Sequence, residues 1–172
     1  MNKLKINTDF ETDFSYIFNK LYKHDKKIII MCIGTDRIIG DSFGPLVGYN
    51  LKKYNINNIY IEGDIRNVIC ANNILKEKNR IYEEYKNPFI ICVDSCLSSV
   101  YKEKTIIVEE HGTIPGAGLG KNIQRIGNMS VKGVVSSYAK NRLNALLNVR
   151  LNMVIDMADT VANGIKKSLY NI

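Results

Sequence analysis

Residues 28–33, IIIMCI, form an apolar run with no polar alternation, and it stops at Gly34. Such a run fits a strand covered on both faces, as in a parallel sheet. The next segment, GTDRIIGDSFGPLVG, carries Asp36 and Asp41 and then Pro45. A helix tolerates proline only in its first turn, so a helix begins between about Asp41 and Pro45. Both aspartates therefore fall at the carboxyl end of a strand, where open α/β sheets place their ligand crevices. A second apolar run, residues 89–93, leads directly into Asp94.

The rest of the chain alternates in the same way. Thr8 and Glu11 form a capping box that opens a helix from about Asp9 to Tyr22, with Phe10, Phe14, Ile17, Phe18 and Leu21 at helical spacing. The helix after Asp41 runs to Tyr54 and buries Leu46, Val47 and Leu51. A strand at 58–61 ends at Gly63 and Asp64, and a helix occupying at least the second half of 68–85 is broken by Asn87 and Pro88. Strands are predicted at 105–108 and 131–135, separated by a Gly-rich loop at 111–128 that contains PGAGLGK. The remainder is helical, with one apolar stripe traced by Leu151, Val154, Ile155, Ala158, Val161, Ala162 and Ile165. Strands alternating with helices give an α/β fold, with a parallel or mixed sheet covered on both faces. A length of 172 residues fits a single domain, 1–172.

Several function classes are disfavoured. The net charge is +7, but Lys and Arg are interleaved with Glu and Asn, as in residues 76–80, and no basic stripe with stacking aromatics is visible. No nucleic-acid partner is expected. No apolar run approaches the roughly 20 residues of a membrane span, and the first residues lack the apolar core of a signal peptide, so a cytoplasmic protein is expected. The segment 1–27 reads as a packed helix rather than a removable leader. Cys32, Cys70, Cys92 and Cys96 then read as reduced thiols, and the spacing of Cys92 and Cys96 matches no zinc pattern.

The candidate chemistry lies in the acids at strand ends: Asp36, Asp41, Asp64 and Asp94. Two carboxylates in one crevice cannot both ionise cheaply, so they hold one proton between them and supply a general base and a general acid together. The same acids suit a hard divalent metal, whereas nickel or zinc would call for a histidine, and His111 is the available one. Each acid also has a structural reading. Asp41 can cap its helix, Asp36 can pair with Arg37 at the surface, and Asp64 sits in a turn-like context. Asp94 is hardest to account for that way, because it follows five apolar residues. Ser42, Ser95 or Cys96 as nucleophile would need His111, since His24 lies in the charged stretch KHDKK. GAGLGK fails the phosphate-loop pattern and reads as a turn or a flap over the crevice.

Four segments in order, CIGTDRIIGDSFGPLVG, PFIICVDSCL, IPGAGLG and NVRLNMVIDMADTVANGI, resemble the YyaC sporulation proteins of spore-forming Firmicutes, called spore proteases by similarity. The resemblance implies a phosphorylase/hydrolase-like three-layer α/β/α sandwich with a mainly parallel central sheet. That fold is shared with the germination protease and the hydrogenase-maturation endopeptidases. It also implies a sporulation-associated peptidase of the forespore or spore interior, acting on protein or peptide substrates, with small acid-soluble spore proteins as candidates. In the germination protease, two acids at matching positions, Asp41 and Asp94 here, form an aspartic pair without a cofactor. In the hydrogenase-maturation enzymes such acids bind metal together with a histidine from a later loop, but here that stretch, GNMSVKG, carries Ser130 and Lys132 instead. On the aspartic reading Asp36 and Arg37 shape the pocket, and the loop with Gly116, Gly118 and Gly120 covers it. The alternatives are a metal-assisted endopeptidase using Asp41 and Asp94, and a non-catalytic peptide-binding spore protein.

Overall fold

The computed structural model describes residues 9–23, 25–54, 56–115, 124–137 and 140–170. Strands β1 (Ile28–Cys32), β2 (Ile59–Glu62), β3 (Phe89–Ser98), β4 (Ile106–Glu109) and β5 (Met129–Ser137) form one sheet in the order β2-β1-β3-β5-β4. Every neighbouring pair is parallel except β4 and β5. All of β1 and the first five residues of β3 are buried, as an unbroken apolar sequence requires. Alternate residues feed two cores. Ile28, Ile30, Cys32, Ile91 and Val93 pack with helices α1 (Phe10–Leu21), α2 (Phe43–Leu51) and α5 (Leu151–Leu169). Ile29, Met31, Ile90 and Cys92 pack on the opposite face with Ile74 and Ile81 of α3 (Ile74–Tyr85). The result is the expected three-layer sandwich. A short helix, α4 (Arg142–Leu147), precedes α5, and no described helix is long and apolar enough to cross a membrane.

The boundaries depart from the sequence pattern where the side chains are ambiguous. Helix α1 is capped by Asp9, whose carboxylate accepts the Glu11 backbone N–H at 3.1 Å; Thr8, the expected cap, lies outside the described residues. In α5 the core takes the flank with Met153 and Met157, while Leu151 and Ile155 are 49% and 39% exposed. Both flanks are apolar, so a period of 3.6 fits either, and only packing chooses between them. Strand β3 does not stop at Val93 but runs on through DSCLS, because β5 continues to pair with it from Asp94↔Lys132 to Ser98↔Ser137. GNMSVKG is likewise not a loop: β5 begins inside it, at Met129. The base of the Gly-rich segment is closed by two hydrogen bonds, Thr113 N–H to Ile126 O (3.0 Å) and Ile126 N–H to Thr113 O (2.8 Å). Gly116, Gly118 and Gly120, the expected cover, lie outside the described residues.

Candidate active site

Asp41 is placed by the way the chain leaves β1. At Gly34 φ is +140°, and a Cβ there would lie 2.0 Å from the Asp41 carbonyl oxygen. Only glycine accommodates both that backbone angle and that approach. The chain then folds back, Thr35 N–H donating to the Asp41 carbonyl at 3.1 Å, and enters α2 through a 3₁₀ turn, Ile39–Ser42. A Cβ on Gly44 would lie 2.1 Å from the Ile33 carbonyl oxygen, so the start of α2 is pressed directly onto the strand end. Gly44→Ala is expected to destabilise the fold by roughly 1–3 kcal/mol, as overpacking does, measurable as a lower urea midpoint. Asp41 does not cap α2. Ser42 holds the N-cap position, without a side-chain capping bond, and Asp41 Oδ1 instead accepts the Ser95 hydroxyl at 3.3 Å.

Ser95 follows Asp94 on β3, so this hydrogen bond joins the two loci that the sequence marked. Asp41, Asp94 and Ser95 line one cavity of about 390 Å³, walled by Ile33, Gly34 and Ile38 after β1, Thr113–Pro115, and Arg142, Leu143 and Leu146 of α4. Burial, then the neighbouring charge of Asp41, pushes Asp94 up to about 7, against the pull of Lys132 and the Ser95 N–H. Burial also raises Asp41, opposed by the Ser95 hydroxyl and the Thr35 N–H. Of the two acids, Asp94 is the one raised far enough to keep a proton toward neutral pH. A second hollow of about 260 Å³ lies at the β2 edge among Leu51, Tyr54, Tyr60, Glu62 and Tyr85, and brings no pair of acids together.

Lys132, on β5 in register with Asp94, also lines the cavity. Its Nζ lies 2.6 Å from Glu109 Oε2, which also accepts the Ser130 hydroxyl at 3.1 Å. Burial opposes ionisation of Glu109, but Lys132 prevails and holds it below the ordinary glutamate value. A lysine inside the apolar run MSVKGVV is the signal that could have singled it out, as Asp94 was singled out inside FIICVD. Arg142 and the leucines of α4 carried no such signal. Lys132→Met removes a charge that favours ionised Asp94, so Asp94 is expected to titrate above about 7. Carbon-13 carboxyl shifts followed against pH measure this, and a downward move would contradict it.

The other candidates fall elsewhere. Asp36 and Arg37 are exposed and are not among the cavity's lining residues. Asp64 is buried in a structural role. Lys52 Nζ lies 2.6 Å from Oδ2, and the N–H groups of Arg66 and Asn67 donate to Oδ1 at 2.6 and 2.8 Å. Burial works against its charge, yet these partners hold it below the usual aspartate value. The Ser42 hydroxyl donates to the Ile39 carbonyl at 2.6 Å. His111 is outside the cavity lining, its ring against Arg125 and the Gly112 carbonyl. Cys96 does line the cavity, but burial pushes its thiol up to about 11, leaving little thiolate at neutral pH.

Residues 3–164 match the family described as protein of unknown function (DUF1256). The chain belongs to the DUF1256 family. It is similar to the uncharacterized protein YyaC of Bacillus subtilis (strain 168), at 36% identity over 140 residues, 81% of this chain and 68% of that protein. It is also similar to a solved structure, the NiFe hydrogenase maturation protease HycI from Thermococcus kodakarensis KOD1. The two superpose with a TM-score of 0.60 at 15% identity, covering 91% of this chain and 98% of HycI. The fold is therefore HycI-like, of the phosphorylase/hydrolase-like kind.

Among the described residues, the donor set of this DUF1256 cavity does not fit a resident nickel or zinc ion. Nickel and zinc sites draw on imidazole or thiolate, whereas a hard cation can be held by one or two carboxylates with water completing its shell. Among the described residues no group of three or more His, Cys, Asp and Glu is arranged to hold an ion. The two carboxylates present are coupled to each other, and Lys132 already supplies positive charge beside Asp94.

Proposed function

We propose that this DUF1256 protein is a peptidase whose paired carboxylates, Asp41 and Asp94, hydrolyse a peptide bond without a metal. The observation that carries this reading is that two acids, one in the 3₁₀ turn before α2 and one within β3, line one largely apolar cavity, where the charge of Asp41 acts on Asp94. Asp41, which accepts the Ser95 hydroxyl, is the ionised partner and takes a proton from water as its oxygen adds to the peptide carbonyl. Asp94, which keeps a proton up to about pH 7, donates it to the leaving nitrogen as the C–N bond breaks. The proton on Asp41 then returns to Asp94 through solvent, restoring the pair. The HycI-like fold supports a peptidase, and spore proteins, the substrates that the sequence resemblance implies, are the first to test.

The test is peptide-terminus mass spectrometry on spore-protein extracts incubated with the wild-type chain or with Asp94→Asn, with and without chelator. New termini that survive chelation and vanish with Asp94→Asn are expected, and they would identify the substrate. Termini lost on chelation would instead point to a metal enzyme. No new termini in any arm would leave the cavity as a peptide-binding site.

A further inference from the structure

We infer that the cavity takes its substrate as an extended polypeptide strand, added to the sheet in the place that β1 vacates beside the end of β3. Pairing of β1 with β3 stops at Cys32↔Val93, and the last ladder bond is Ile33 N–H to the Val93 carbonyl at 2.7 Å. Strand β3 continues for five more residues, 94–98, paired on its other side with β5. Successive residues of a strand turn their backbone groups to opposite neighbours. Phe89 N–H bonds Lys27 O and Val93 O accepts from Ile33, both on the β1 side, whereas Ile90 bonds Asn128 at the start of β5 through both of its backbone groups. Odd-numbered residues therefore face the vacated side. The register shift at Cys96/Leu97 skips Val135 of β5, so the extra residue belongs to β5 and β3 keeps its phase.

Ser95 and Leu97 consequently turn main-chain groups toward the cavity they line. Among the described residues no bridge covers them, since Ile33 turns away to pair with Ile69. An open strand edge of this kind is a template for another chain, and its ladder groups recognise any main chain in extended form. Side-chain choice is left to the walls, where Ile33, Ile38, Leu143 and Leu146 favour an aliphatic residue. The acids stand at the same edge: the Ser95 hydroxyl bonds Asp41, and the Ser95 N–H favours the charged form of Asp94. A strand bonded to the Ser95 carbonyl and the Leu97 N–H brings one of its own peptide bonds to both carboxylates. The substrate is thus a disordered or locally unfolded segment, not a helix or a packed domain. This rests on the cavity being a polypeptide site, as proposed above, but not on cleavage.

The test uses a pool of synthetic octapeptides with a central leucine, isoleucine or valine, and two companion pools N-methylated at odd or at even backbone nitrogens. Binding to Asp94→Asn is read by fluorescence anisotropy, and exchange of the Leu97 amide by NMR. One companion pool is expected to lose about tenfold in affinity, the worth of a hydrogen bond or so, while the other keeps it. The Leu97 amide is expected to become protected when the parent pool binds. Leu97→Pro removes that N–H and is expected to weaken binding similarly; if the variant does not fold, the methylated pools alone decide. Equal binding by both companion pools, an unprotected Leu97 amide at saturation, or no binding by any pool would each overturn the inference. Cleavage of the same peptides by the wild-type chain is a separate readout. Alternating binding without cleavage rejects the peptidase and keeps strand addition, and cleavage without alternation does the reverse.

Discussion

Asp94→Asn is expected to lower the rate of peptide cleavage about a thousandfold at pH 7, and Asp41→Asn to do the same, within the range that general acid–base groups contribute. Each change removes one half of a pair that works only with a single proton. The pH dependence follows from the two environments. Cleavage requires Asp94 protonated, and burial together with the charge of Asp41 holds its proton up to about pH 7, so the rate falls as pH rises past that point. It also requires Asp41 ionised, and burial raises that group above its ordinary value, so the rate falls again on the acid side. A bell-shaped profile of kcat/KM, measured on a peptide found by terminus mapping, is the expected result. A rate still climbing at pH 9, or an Asp94→Asn variant keeping more than about a tenth of wild-type activity, would contradict the pairing.

The same substitution is expected to make the protein more stable at alkaline pH. Asp94 has an ordinary value of 3.8 and is raised to about 7 in the fold, so between these values the folded state binds more protons than the unfolded chain. Stability attributable to this residue is therefore fully present below about pH 4, is lost as pH rises toward 7, and stays lost above it. Holding the carboxyl up to about 7 instead of 3.8 costs the folded state at most about 4 kcal/mol. Sharing of the proton with Asp41 and partial exposure of Asp94 to the cavity reduce the loss to roughly 2–4 kcal/mol. Asparagine carries no charge to desolvate, so Asp94→Asn should unfold at higher urea than wild type at pH 8, and the difference should close toward pH 4. Urea midpoints at pH 4, 6 and 8 measure this. A variant less stable at every pH would show that the carboxylate is structural. A buried acid that weakens the fold while equipping a cavity is the pattern expected where activity, not packing, sets the residue.

Much of this was legible in the residues. The unbroken runs at 28–33 and 89–93 require two-sided burial whatever the rest of the chain does, and so dictate central parallel strands. Pro45 forces a helix start within a few residues of Asp41, and Asp94 stands out because an acid after five apolar residues is costly to bury. What the pattern could not say is where partners in space override local preference. The apolar run at 89–93 stops at Asp94, and DSCLS beyond it is mostly polar, yet β5 pairs with it and makes it strand. Asp36 and Asp41 are equivalent as sequence, five residues apart in one turn, but the close approach of Gly34 to the Asp41 backbone turns one toward Ser95 and leaves the other in solvent.

The sequence by itself determined the layers, the central strands and the set of acids among which a site had to lie, because burial and backbone constraints act residue by residue. Only the tertiary structure decided that Asp41 and Asp94 line one cavity, that Lys132 lines it with them, and that β3 overhangs β1. Each of these depends on register between strands far apart in the chain, which local side-chain chemistry does not encode.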